Sequence, residues 1–179
     1  EVIQFCSVVR DVIDNRGKTP PLVIDGFPML EVNAVYKQGK NPNLDKVTKY
    51  VSDTTYNIWF RDGHPAVGDI LIVTVGSAGE TSFVDRPEFC IAQNLIALQV
   101  SASFYPEFIF YITKTRAFKK QVDAVLMGAV QPSLKVPHLM QFIFECPKNR
   151  SEQKEIAEVL SGMDVEIDAL KRRLNKTQQ

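Results

Sequence analysis

SEQKEIAEVLSGMDVEIDALKRRLNKTQQ, residues 151–179, has the marks of one long helix. Ser151 is a good N-cap, and Lys154 stands where a capping box would place Glu or Gln. Glu152, Glu155 and Glu158 crowd the start, while Lys171, Arg172, Arg173 and Lys176 crowd the end, the order a helix macrodipole favours. The apolar positions Ile156, Leu160, Met163, Ile167, Leu170 and Leu174 alternate in steps of four and three. That alternation gives a narrow seam of period about 3.5, the pattern of a coiled coil. Such a helix would reach roughly 40 Å at 1.5 Å per residue. No second stretch of the chain repeats the seam, so it needs a partner. An arm reaching for another helix fits it better than an amphipathic helix folded back on its own domain.

A chain of 179 residues suits one domain, or one domain with an appendage. With 45% apolar residues it can bury a proper core. Lys plus Arg and Asp plus Glu are both 21, so global charge argues neither for nor against a polyanionic partner. Cys6, Cys90 and Cys146 are widely spaced, outside any CxxC pair and set in apolar runs, which predicts buried free thiols in a reducing cytosol. No apolar run approaches the ~18 residues of a membrane span and no signal peptide is present, so a soluble cytoplasmic protein is expected. The chain begins at Glu1 and ends within helical sequence, as a piece of a longer polypeptide would.

Glu1–Val12 is a strand or turn-bounded apolar segment, and residues 14–21 (DNRGKTPP) form a loop. An extended segment around Pro28 leads into Met29–Val32. Residues 35–51 are a polar, basic loop region, and Ser52 caps a short helix to Phe60 with Trp59 and Phe60 as core aromatics. Ile70–Val75 reads as a buried strand, broken by Gly76-Ser77-Ala78-Gly79 before a second strand from Glu80 to Val84. Residues 89–100 extend the sheet. Pro106 opens a helix running to about Val125, Leu126–Pro137 is a loop, and Leu139–Cys146 is a last strand. This order predicts an α+β fold, with a twisted mixed or antiparallel sheet, few helices and one long terminal helix.

The chain offers little for catalysis. His64 and His138 each stand beside a proline turn, with no Cys or acid at a ligand spacing, so packing is the reading their surroundings support. Gly76–Glu80 lacks the lysine of a P-loop and the three glycines of a dinucleotide site, and reads as a strand-to-strand turn. No metal or cofactor is expected.

Nucleic-acid binding fits better. Base readout needs Arg, Lys, Asn and Gln on loops able to enter a groove. Two loops supply them: Arg16 and Lys18 on one, and Lys37, Gln38, Lys40, Asn41 and Asn43 on the other. Gln93, Gln131 and Lys135 add polar groups beside strands. Lys114, Arg116, Lys119 and Lys120 give the middle helix a basic side that suits phosphates or plain solvation equally.

Several runs resemble the specificity subunits of type I restriction-modification enzymes. They are Arg16–Pro21, Gly68–Ile72, Val75–Glu80, Ala92–Leu95, Gly128–Leu134 and Ser151–Ala157, in the expected order along nearly the whole chain. The resemblance implies a target-recognition domain, residues 1–150, that reads one half of a split double-stranded DNA site. It implies a following spacer or dimerisation helix, residues 151–179. It also implies partner methyltransferase and restriction subunits that carry the chemistry, and pairing of the helix with a second recognition unit or a second copy. This chain departs from the family in holding a single recognition unit and a helix that looks cut short. Two other readings stay open: a non-DNA interaction module working through the helix, and a small enzyme using His64 or His138.

Overall fold

The computed structural model describes residues 1–91, 93–128 and 132–177, so the expectation for Gln131 lies outside the described residues. Its centre is a four-stranded antiparallel sheet in the order β2 (Val9–Ile13), β8 (Leu95–Val100), β5 (Ile70–Val73), β6 (Thr81–Phe83). The run Ile70–Val73 is buried at all four positions because both faces of the sheet are covered. Ile70, Ile72, Ile96 and Leu98 face a helical layer, while Leu71, Val73, Leu95 and Ala97 face the opposite way, onto Ile13, Leu30 and Ile91.

The second layer is a small mixed sheet in the order β4 (Tyr50–Val51), β3 (Phe27–Leu30), β7 (Cys90–Ile91), antiparallel on one side of β3 and parallel on the other. Against it packs α2 (Asp53–Ile58), capped by Ser52, whose hydroxyl accepts from Thr55 N–H. Phe60 is buried there, whereas Trp59, expected in the core, is only half-buried. The strand pair β1 (Val2–Gln4) and β9 (Ile143–Glu145) closes the helical side.

Several elements are shorter than the local sequence suggests. Glu1–Val12 is not one strand, since a single helical turn, α1 (Phe5–Val8), separates β1 from β2 and drops Phe5 and Val8 into the core. The middle helix is two: α3 (Pro106–Thr113) and α4 (Arg116–Leu126). Thr115 breaks it by adopting an extended backbone (ψ 153°) and turning its hydroxyl to cap Phe118 N–H. Val136–Leu139 is a helical turn, α5, and only Ile143–Glu145 of the expected last strand pairs. Cys6 is exposed, not buried, because α1 turns it outward; Cys90 and Cys146 are buried free thiols.

The turn after β5 is the hairpin link that its sequence suggests. Gly79 has φ +88°, and a Cβ there would stand 2.8 Å from Val122 of α4. The glycine therefore serves close packing of turn on helix.

The terminal helix, α6, spans Arg150–Thr177, 28 residues. Asn149, not Ser151, is its cap: its carbonyl accepts the first helical bond, from Gln153 N–H, and its side chain accepts from Ser151 N–H at 2.8 Å. The first half lies on α3 through Gln153, Ala157, Leu160, Ser161 and Asp164. Ile156, Met163, Ile167, Leu170 and Leu174 stay exposed, and only Leu160 of the expected seam is half-buried. The helix thus folds back on its own domain along one face and leaves the apolar seam open on another.

Candidate nucleic-acid interface

The antiparallel order of the main sheet brings the end of β2, the end of β5 and the start of β8 together. Thr74 N–H donates to Asn94 O, Leu134 N–H donates to Thr74 O, and Val75 bridges to Ser133. Residues 14–19, 93–94 and 133–135 therefore emerge at one end of the sheet, carrying Arg16, Lys18, Gln93 and Lys135.

Loop 14–19 is held from below. Asn15 is buried, with its amide donating to Gly63 O at 2.9 Å and its carbonyl accepting from Asp62 N–H at 3.1 Å. Asp14 N–H bonds the Asp62 carboxylate, and Arg61 donates to Asp14 O at 2.8 Å. These bonds carry the turn after α2 alongside the loop. Arg16 forks onto Asp14, Nε to Oδ1 at 2.7 Å and Nη2 to Oδ2 at 2.6 Å. The hydrogen-bonded guanidinium holds the Asp14 carboxyl below its usual range, so the pair stays ionised near neutrality. Lys18 is exposed, and its ammonium has no partner among the described residues.

Asn15, Arg16, Gly17, Lys18, Trp59 and Arg61 line one open hollow of about 460 Å³. Arg16 pairs with Asp14, and the exposed Arg61 stands 3.6 Å from the Asp62 carboxylate. Lys18 and Arg61 are therefore the cations able to meet phosphate, beside a half-exposed indole that offers a flat face for stacking. Beside it, Gln93 donates to Thr19 Oγ1 at 3.0 Å and lines a second hollow with Glu31, Asn33 and Asn94. Its backbone is left-handed (φ 60°), which tips the amide toward loop 14–19. Trp59 and Arg61 were not among the expected contacts. They read locally as a core aromatic and a turn residue, and hydrogen bonds spanning more than forty positions are what bring them here.

The other basic loop goes elsewhere. None of Lys37, Gln38, Lys40, Asn41 and Asn43 lines either hollow. Lys40 Nζ pairs with Glu107 of α3 and bonds Ser161 Oγ of α6 at 2.9 Å. Asn41 donates to Phe83 O, and Asn43 caps the 3-10 turn Leu44–Lys46 while donating to Gln38 Oε1. Lys37 alone points out, its ammonium 4.9 Å from the centre of its neighbour's ring, Tyr36. On the middle helices Lys114 is turned inward to Thr81 O at 2.6 Å, and Lys119 pairs with Asp123.

His64 is stacked on Tyr56, ring centroids 3.6 Å apart, with Nε2 2.8 Å from Tyr56 O. Burial lowers its pKa. His138 is exposed. Among the described residues no group of three or more His, Cys, Asp or Glu gathers at metal-ligand range, and no helix is long and apolar enough to cross a membrane.

An antiparallel sheet covered by helices on one face and by a small mixed sheet on the other, ending in a long helix with an open apolar seam, is the class that these features define. The family model for the type I restriction modification DNA specificity domain matches residues 28–179, and the chain belongs to that family. Its fold is that of solved specificity subunits. A chain from a study of complex assembly and conformational transition in the type I R-M system superposes with TM-score 0.71 at 18% identity, over 99% of this chain and 41% of that one. The HsdS subunit from Thermoanaerobacter tengcongensis gives 0.65 at 18% identity, over 97% and 39%. The S subunit from M. genitalium gives 0.60 at 17% identity, over 99% and 42%. The chain thus spans about two fifths of these structures. No curated protein sequence matches it.

Proposed function

We propose that this chain reads one half of a bipartite double-stranded DNA site as the specificity component of a type I restriction-modification complex. Residues 1–150 are the reading unit and residues 151–179 the spacer helix. Methylation and cleavage fall to partner methyltransferase and restriction subunits, with no catalysis in this chain. The observation that carries the reading is the convergence of Arg16, Lys18 and Arg61 around Trp59, with Gln93 alongside, at one loop end of the sheet. Lys18 and Arg61 suit phosphate contacts. The remaining N–H groups of Arg16 and the amide of Gln93 suit base edges. Family membership and the likeness to specificity-subunit folds support the same role.

The test is duplex binding after selection from a randomised library. Lys18→Ala and Arg61→Ala should each lower affinity on every sequence and reduce the log–log salt slope by about 0.9. Gln93→Ala should instead relax preference at one base, at a cost of about 1–3 kcal/mol. Binding indifferent to both sequence and salt would sink the reading. The open seam on α6 favours a second reading, an interaction module without DNA, in which those variants leave partner binding untouched.

A further inference from the structure

The face of α6 that touches the rest of the fold sets polar side chains beside two apolar ones, Ala157 and Leu160. Gln153 and Ala157 are buried, and Ser161 and Asp164 half-buried, at intervals of three and four. Gln153 accepts from Tyr105 N–H and donates to Pro147 O, both at 2.8 Å. Tyr111 donates its hydroxyl proton to Asp164 Oδ2 at 2.8 Å. Lys40 reaches across from its loop to Ser161 and to Glu107. At about 100° per residue this stripe lies roughly 90° around the helix from the apolar seam.

The chemistry of the stripe matters for direction. Apolar burial is non-directional, and an apolar stripe would let the helix roll or slide at little cost. Hydrogen bonds have fixed geometry. A slide of one turn, about 5.4 Å, would part Asp164 from Tyr111, Ser161 from Lys40 and Gln153 from the Tyr105 N–H, while Lys40 keeps only Glu107. Beyond Asp164 the helix runs about 20 Å further, so an error of about 20° at its seat moves the tip roughly 7 Å. That is about two base-pair steps of duplex, at about 3.4 Å each.

We propose that Lys40, Glu107, Tyr111, Ser161 and Asp164 form a polar clamp that fixes the roll and axial position of α6, and with them the direction in which its seam faces. The clamp stands on contacts within this chain. Only its consequence rests on the function proposed above: there, these are positioning residues for the gap and phase between two DNA half-sites. Lys40, in the loop whose composition suggests DNA contact, works through the helix.

Pulsed dipolar spectroscopy between nitroxides at Lys120→Cys on α4 and Arg173→Cys on α6 reads the direction. A Cys6→Ser background leaves Cys90 and Cys146 buried, and excess unlabelled chain suppresses distances between copies. The parent should give one narrow distance. Tyr111→Phe with Lys40→Met, which removes both arms and keeps most of the bulk, should at least double the width while circular dichroism shows a folded chain. Asp164→Asn keeps an acceptor for Tyr111 and should stay narrow. A broad parent, a folded double variant of unchanged width, or an Asp164→Asn as broad as the double variant would each overturn the clamp. If the double variant fails to fold, Ser161→Ala and Tyr111→Phe singly are measured, and unchanged width in both overturns it. No DNA enters this measurement. A parent chain that ignores duplexes defeats the functional reading alone, and an absent broadening defeats the clamp alone.

Discussion

Gln153 shows what one buried polar side chain contributes. Its amide meets Tyr105 N–H and Pro147 O where α6 leaves the fold, and it has almost no exposure. Gln153→Leu keeps the volume but leaves a buried donor and acceptor unpaired, so it should cost about 1–3 kcal/mol in urea unfolding. His64 acts through pH. Its Nδ1 is buried without a partner among the described residues, and burial lowers its pKa below the ordinary value near 6.5. The unfolded chain therefore takes up the proton more readily than the folded one. The stability that neutral His64 contributes is complete above about pH 6.5 and is lost as pH falls below that value and through the lower pKa of the folded state. The urea midpoint should fall from pH 7.5 to pH 5, and His64→Phe should flatten that part of the curve.

At the scale of elements, the split between α3 and α4 and the seam on α6 carry the sharpest expectations. Thr115 caps α4 with its hydroxyl, so Thr115→Ala should lower stability by about 1 kcal/mol, read from a thermal or urea transition. Met163 and Leu170 lie on the exposed seam, Met163 at the edge of the hollow that Lys40, Tyr111 and Asp164 also line. Met163→Glu with Leu170→Glu should leave the melting temperature unchanged. The same pair should weaken helix-mediated self-association by at least about 100-fold in sedimentation, given about 1.5–3 kcal/mol for each large apolar side chain buried. A tight oligomer surviving that pair would place the interface elsewhere.

For the whole molecule, the arrangement separates the two basic loops. Loop 14–19, the turn after α2 and residues 93–94 share one end of the sheet, while loop 35–43 is tied to α3 and α6. With 21 basic and 21 acidic residues the molecule has no long-range pull on DNA, so salt dependence should come from this local face. Lys18 and Arg61 together give a log–log slope of about 2 at most, a loss of roughly tenfold between 50 and 200 mM salt. A titration giving a much steeper slope would mean that a second surface contacts the duplex.

Much of this was legible in the residues alone. The unbroken run of branched apolar residues at 70–73 marks a strand whatever surrounds it. Ser52 caps a helix, Gly79 ends a hairpin turn, and the four-three spacing of α6 writes a seam, because each depends on neighbours a few positions away. Family resemblance was readable for the same reason, from short runs in order. The division of the basic residues was not. Lys18 and Lys40 sit in similar loops, and only the crossing of strands places one at an open sheet end and the other against Glu107 and Ser161. Arg61 and Trp59 join the first group through bonds to residues more than forty positions away. Local sequence determines what each segment can be. Which cation meets solvent and which meets a carboxylate is decided by long-range packing, where the cost of leaving a buried polar group unpaired selects one arrangement.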